Sequence, residues 1–258
     1  MKLTLLGYGF VGKAVYNVLK DHHDITIVDP EYNDNKIEYQ GDSDGYIICL
    51  PTPEGKNGEC DMSIIFEMLN RIPVATISPS NILIKSTMSM EGWREIEQTH
   101  NYLNICFSPE FLTAANANED FKKQTEMFFG GGDEYFWVDV FNPCKKFTAI
   151  FSSIPELILM KYIRNSFLAT KVAFFNEIYD LCSKMNLQYD EVSYLVGMDE
   201  RIGYSHMKVP GPDGRGFGGA CFPKDTKALY NSAKLKDCSL DILHAAITSN
   251  EKVIKDNV

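Results

Sequence analysis

The run Gly214–Lys227, GRGFGGACFPKDTK, places four glycines ahead of Cys221 and sets Pro223 where a helix would start. Glycines let a ligand lie against bare backbone, whose N–H groups suit phosphate or sugar oxygens. A thiol beside a helix N-terminus, with Lys224 close in sequence, has reason to ionise more easily. Its thiolate can attack an aldehyde and form a thiohemiacetal. The plainer reading of a lone cysteine is a small buried hydrophobe, and spacing alone does not decide between the two. Lys161 and Asn165 are four apart in a helical stretch and share a face. An ammonium and a carboxamide there would make a cradle for an oxyanion. Two residues at a solvated helix edge would have the same spacing.

A second chemistry is written near the start of the chain. Gly7, Gly9 and Gly12 form GYGFVG between a predicted strand and a predicted helix. The first glycine permits the tight turn, the second admits a pyrophosphate, and the third lets helix and strand pack closely. The stretch ITIVD follows and ends in Asp29, placed to accept hydrogen bonds from adenosine ribose hydroxyls and to repel a 2′-phosphate. This favours NAD over NADP. A tight strand–helix turn with a surface aspartate is the alternative.

These groups need elements to position them. Leu3–Leu6, Ile25–Val28, Tyr46–Leu50, Ile82–Ser86, Asn104–Ser108 and Glu126–Gly130 read as buried strands, with Phe147–Phe151 as a possible last one. Helical stretches at Val11–Lys20, Ile64–Arg71 and Trp93–Thr99 alternate with them, which implies a parallel sheet with helices on both faces. From Ser153 to about Met185 one long helix is expected, opened by a capping box of Ser153 and Glu156 with Pro155 in its first turn. It is apolar on most sides and so is expected to be buried on most sides. Further helices are expected at Tyr189–Val196, Lys224–Ser232 and Asp241–Lys255. The fold class is therefore α/β. A Rossmann-type doubly wound parallel sheet spans 1–152, and an all-α domain built on one long helix spans 153–258.

Composition narrows the field. A net charge of −10 argues against a nucleic-acid surface, which needs clustered Lys and Arg. Seven cysteines, odd in number and without a CxxC pair, suggest neither a zinc site nor a disulfide framework, so no metal is expected. No apolar run is long enough to span a bilayer and no signal-peptide pattern opens the chain, so a cytoplasmic location without membrane partners is expected.

Taken together, GYGFVG, CLPTP (Cys49–Pro53), KST (Lys85–Thr87), SPEFL (Ser108–Leu112), KYIRNSFLATKVAFFNEI (Lys161–Ile178) and GFGGACFPKD (Gly216–Asp225) resemble the UDP-glucose/GDP-mannose dehydrogenase family, in the family's own order. The resemblance implies oxidation of a nucleotide sugar's primary alcohol to a carboxylate with two NAD in succession. By that analogy Cys221 captures the aldehyde-level intermediate and later carries a thioester that water hydrolyses. Lys161 and Asn165 resemble the oxyanion-stabilising residues, while Asp225 and Thr87 resemble those that position or activate water. Cofactor contacts would come from Gly7, Gly9, Phe10, Val11, Gly12 and Asp29, joined by Pro51, Thr52, Thr87 and Lys224. Glu110, Phe111 and Leu112 resemble the wall where substrate meets cofactor, with Glu110 also a base. Arg215, Phe217, Gly218 and Gly219 would hold substrate with Lys161 and Asn165. The resemblance also implies a homodimer through the long helix 153–185.

Two departures stand out. After SPEFL the family usually has an arginine and a glutamate, where this chain has Thr113 and Ala114. The glutamate is a candidate base in the family, so proton removal would fall to water, Glu110 or Asp225. Family members also carry a third, nucleotide-binding domain, whereas this sequence ends at Val258. Binding would then rest on the glycine loop 211–219, and discrimination between bases would weaken. UDP-glucose is the expected substrate. GDP-mannose, a UDP-N-acetyl sugar, or a non-catalytic NAD-binding role are the alternatives. Retention of Cys221, Lys161, Asn165 and Asp225 together argues against the last.

Overall fold

Short runs of Leu, Ile and Val without polar alternation suit strands buried on both faces. Strands β1 (Lys2–Leu6), β2 (Asp24–Val28), β3 (Gly45–Ile48), β4 (Asn81–Ile84) and β5 (Asn104–Phe107) pair in parallel in the order β2-β1-β3-β4-β5. Of these, β3 and β4 are such runs, whereas edge strand β2 alternates Asp, Ile, Thr, Ile and is only partly buried. The computed structural model in which they are seen describes residues 1–56, 58–73, 80–212 and 214–255. Helix α1 (Phe10–Leu19) connects β1 to β2, α2 (Ser63–Arg71) follows β3, and α3 (Met90–Thr99) joins β4 to β5. A single 3-10 turn, Ile37–Tyr39, precedes β3. The chain lays β2 on one side of β1 and then returns to lay β3 on the other. The carboxyl ends of β1 and β3 thus form the switch point at which open α/β sheets take their ligands.

Ala14, Val15, Val18 and Leu19 of α1 pack into one core with Leu3, Leu5 and Ile47 of the sheet. The same core takes Phe121 from α4 (Ala117–Lys123) and Trp137, Val140 and Phe141 from α5 (Glu134–Phe141). Gly45 admits that tryptophan, since a Cβ there would stand 2.9 Å from Trp137 Cη2. The sequence pattern assigns neither α4 nor α5. They have 7 and 8 residues, too few turns for a helical period to declare itself.

The runs at 126–130 and 147–151 do form strands, but outside the main sheet. β6 (Glu126–Phe129) and β7 (Thr148–Phe151) pair in parallel with each other. Gly130 meets Phe107 only through an isolated antiparallel bridge, with hydrogen bonds of 2.8 and 3.0 Å. Such a bridge cannot continue the slanted ladder of a parallel sheet.

Helix α6 (Ile154–Lys184) carries the expected capping box. Ser153 N–H donates to Glu156 Oε2 at 3.1 Å and Glu156 N–H to Ser153 Oγ at 3.4 Å. Its first turns belong with the sheet. A Cβ on Gly130 would lie 2.9 Å from Leu157 Cδ1, and one on Gly131 2.7 Å from Ile154 Cδ1. By their contacts, the compact units divide inside α6. One unit is Met1–Pro53 with Cys60–Lys161, and the other is Glu54–Glu59 with Tyr162–Val258.

In the second unit α6 is joined by α7 (Tyr189–Gly197), α8 (Phe222–Lys234) and α9 (Asp241–Lys255). Phe175 and Cys182 of α6 pack with Tyr189, Met207 and Val209, and Ala169 and Ala173 pack with Phe217 and Ala246. Burial of α6 on most sides is not what this chain shows. Ile163, Phe167, Phe174 and Leu181 are exposed. The last three recur every seven residues, so they fall along one side of the helix. Among the described residues no helix is long and apolar enough to cross a membrane.

Candidate active site

In the first unit the glycine turn has the shape a dinucleotide needs. Gly7 has φ +91°, and a Cβ on it would lie 2.6 Å from Cys49 O. A Cβ on Gly12 would collide with Gly7 O, so only glycine lets α1 start this close to β1. Gly9 differs. It is the N-cap of α1, a Cβ on it would meet no protein atom within 4 Å, and no side chain caps the helix. The space beside Gly9 and the uncapped N–H groups of Phe10 and Val11 are what a pyrophosphate would use. Asp29, just past β2, is held by the N–H groups of Tyr8 (2.6 Å) and Glu31 (2.8 Å). A carboxylate has about four acceptor positions, so two backbone donors leave room for ribose hydroxyls. These residues fit NAD. Pro51 and Thr52 follow β3, and Thr87, whose carbonyl accepts from Cys60 Sγ at 3.6 Å, follows β4, so all three lie past the carboxyl ends of their strands.

Also in this unit is a buried ion pair. Lys161 Nζ lies 2.8 Å from Glu110 Oε1, bonds Glu110 O as well, and stands 5.3 Å from the Phe111 ring centroid. Glu110 Oε2 accepts from Leu112 N–H at 2.9 Å. Burial works to raise the Glu110 carboxyl, but Lys161 beside it prevails and holds it below the usual carboxylate value. Lys161 is therefore a buried, paired residue and not a solvated helix edge. Glu110, so paired, is a weak base at rest. Thr113 donates from both N–H (2.9 Å) and Oγ1 (2.6 Å) to Asp120 Oδ2, and Ala114 is exposed.

The second unit holds the thiol. Cys221 is the N-cap of α8, with Pro223 in the first turn and its carbonyl accepting from Asp225 N–H at 2.8 Å. All seven cysteines are thiols. Asp225, only 1% exposed, receives Asn165 Nδ2 on one oxygen (2.6 Å) and Lys224 Nζ on the other (2.7 Å). Asn165 and Asp225 are thus brought together, and Lys224, expected at the cofactor, spends a bond on its neighbour.

The glycine loop is anchored by residues the motifs did not single out. Asn250 of α9 accepts from Phe217 N–H (2.6 Å) and donates to Phe217 O (3.0 Å). Asn176 of α6 accepts from Gly216 N–H at 3.0 Å. Two expected substrate contacts are otherwise engaged. Arg215 pairs with Asp180 at 2.7 Å and lies 5.0 Å from the Tyr179 ring centroid. Phe217 is a core residue, because small alanines on α6 and α9 leave room for its ring. Gly218 and Gly219 stay partly or fully exposed, and Asp213 of the same loop lies outside the described residues. Among the described residues no group of three or more His, Cys, Asp or Glu could hold a metal.

Known proteins match this chain. The NAD binding domain of the UDP-glucose/GDP-mannose dehydrogenase family matches residues 33–140, and the central domain of that family matches 157–252. A UDP-glucose 6-dehydrogenase of Rickettsia bellii is 33% identical over 222 residues, 81% of this chain and 50% of the relative. One of Rhizobium meliloti is 26% identical, with 97% of this chain and 68% of the relative covered. The solved structure of a UDP-glucose dehydrogenase from Pyrobaculum islandicum superposes with a TM-score of 0.85 at 26% identity, covering 97% of this chain and 68% of that one. The chain spans about half the length of the Rickettsia relatives.

Proposed function

The chain belongs to the UDP-glucose/GDP-mannose dehydrogenase family, and on that footing we propose that it oxidises a nucleotide sugar, UDP-glucose, to its uronic acid. The observation that carries this reading is the start of α8, where Cys221 precedes by one turn an aspartate gripped by Asn165 and Lys224. NAD, when bound, takes up the electrons of both oxidations. The glycine turn and Asp29 would hold it.

The chain's own residues do the rest. Cys221 Sγ adds to the carbon of the aldehyde, and as the C–S bond forms the carbonyl oxygen gains the electron pair and a proton. Asn165, and Lys161 one helical turn before it, are the donors assigned to that oxygen, where they count most as charge develops. At the acid level the carbon is held as a thioester. Water then adds, the C–S bond breaks, and carboxylate and thiol are released. Asp225 is the carboxylate assigned to take the proton of that water, and Thr87 the hydroxyl that helps place it.

We also infer a homodimer built on α6, whose exposed apolar row is the surface that would be covered. The test of the reaction is NADH absorbance on mixing protein and NAD with UDP-glucose, GDP-mannose and UDP-N-acetyl sugars. Two NADH per uronic acid from UDP-glucose is the expected result. Reduction with another sugar alone would displace UDP-glucose, and none with any sugar would refute the dehydrogenase reading.

A further inference from the structure

Among the described residues, the mechanism above leaves the buried cation Lys85 without a task. Lys85 follows β4 directly, and its N–H donates to Ile48 O at 2.9 Å, which fixes it at the carboxyl ends of β3 and β4. The residue is 2% exposed. Its ammonium runs under the end of β5 to Ser108, 3.0 Å from the carbonyl and 3.3 Å from the hydroxyl, and stands 5.5 Å from the Phe121 ring centroid. Both of these acceptors are neutral. Two residues beyond Ser108 is Glu110, the partner of Lys161.

Burying an ammonium against neutral acceptors is costly, and a well-packed apolar side chain of similar length would avoid that cost. Structure alone is thus a poor reason for a lysine here. What a lysine supplies and a methionine cannot is a donor that grips Ser108 from inside, together with a positive field behind Glu110. The groups facing Glu110 are Lys161, the N–H of Leu112, Lys85 and Cys49. Burial pushes the Cys49 thiol up to about 12, so it is neutral. Lys85 itself faces Cys49, Cys106, Glu110 and Lys161, with Lys145 4.6 Å from the same Phe121 ring. Burial pushes its ammonium down to about 8, with Cys49 and Glu110 pulling the other way, and near neutral pH it is still mostly charged. The charged side chains around Lys85 are then Lys161, the carboxylate of Glu110 and, at the same Phe121 ring, Lys145.

We propose that Lys85 is a positioning residue for the oxidation: through Ser108 and its field on Glu110 it keeps that carboxylate ionised and aligned on Lys161. The role in turnover rests on the dehydrogenase reading, but the electrostatic relation between Lys85 and Glu110 does not. Both can be read separately.

The variants are Lys85→Met and Lys85→Gln, the second neutral but still able to donate to Ser108. Glu110 is titrated by carboxyl carbon NMR on glutamate-labelled protein, with Glu110→Gln to assign its signal. The expected result is a Glu110 titration moved to higher pH in both variants by about half a unit or more. With substrate, kcat should fall about tenfold or more while KM for NAD changes less than about twofold. The acid limb of the kcat profile should move up with Glu110. If either variant folds and Glu110 titrates as in the wild type, the proposal is overturned, whether or not the protein is a dehydrogenase. A shifted titration with unchanged kcat would overturn the role in turnover. A wild type without activity but with the shifted titration would sink the dehydrogenase reading and leave the Lys85–Glu110 relation standing.

Discussion

Cys221 offers the most direct test at the scale of single residues. Cys221→Ala should cut uronic acid formation on the order of 10³-fold or more and leave the thermal midpoint nearly unchanged, because the thiol is only partly buried. Cys221→Ser should accumulate a slowly hydrolysing ester, visible as added mass on the intact protein. Product at the wild-type rate from Cys221→Ala would end the covalent mechanism. Lys85 gives a prediction in pH. Its folded-state pKa is lowered to about 8 from an ordinary 10.5, so between those values the unfolded chain binds the extra proton and stability rises with pH. Relative to Lys85→Met, the wild type should therefore gain up to about 3 kcal/mol from pH 7 to pH 10. Chemical denaturation of the pair across that range measures it, and a difference flat in pH would contradict it. Cys221, Asn165 and Asp225 are singled out by the motifs that carry them, since spacing alone leaves each with a plainer reading. Motifs could not announce that Lys85 is buried, since its acceptors lie 23 residues away in Ser108.

Elements were legible where the pattern was long or chemically marked. The capping box fixed the start of α6, and GYGFVG fixed the β1–α1 turn. Short α4 and α5 escaped because one or two turns carry little periodicity, and the core packing of Phe217 was not legible because the alanines around it lie far along the chain. The same packing explains how the glycine loop keeps its shape despite its freedom. Asn250 brackets Phe217 on both backbone polar atoms, so α9 acts as the loop's backstop. Asn250→Ala should leave a buried N–H and C=O unpaired and cost about 2–4 kcal/mol. The nucleotide-sugar KM should rise more than the NAD KM, since the glycine turn of the first unit is untouched. Urea unfolding and separate substrate titrations would check both. Equal rises in the two KM values would mean that Asn250 serves the fold and not the loop.

For the whole molecule, the exposed row on α6 sets the expected assembly. Phe167 is 68% exposed and continues with Phe174 and Leu181 into one apolar row, the kind of contiguous surface that marks an interaction site. Light scattering at micromolar concentration should report a dimer for the wild type and a monomer for Phe167→Glu, with unchanged helix content. A monomeric wild type would refute the pairing. The division of the chain has a different consequence, one in time. The boundary between the compact units is crossed at Pro53, at Glu59 and again at Lys161, so the second unit is assembled from two separate stretches. Glu54, which binds Lys227 at 2.9 Å, emerges from the ribosome 173 residues ahead of its partner. At about 5–20 residues per second that is a delay of roughly 10–35 s. Throughout it Glu54 has been made and its partner on α8 has not.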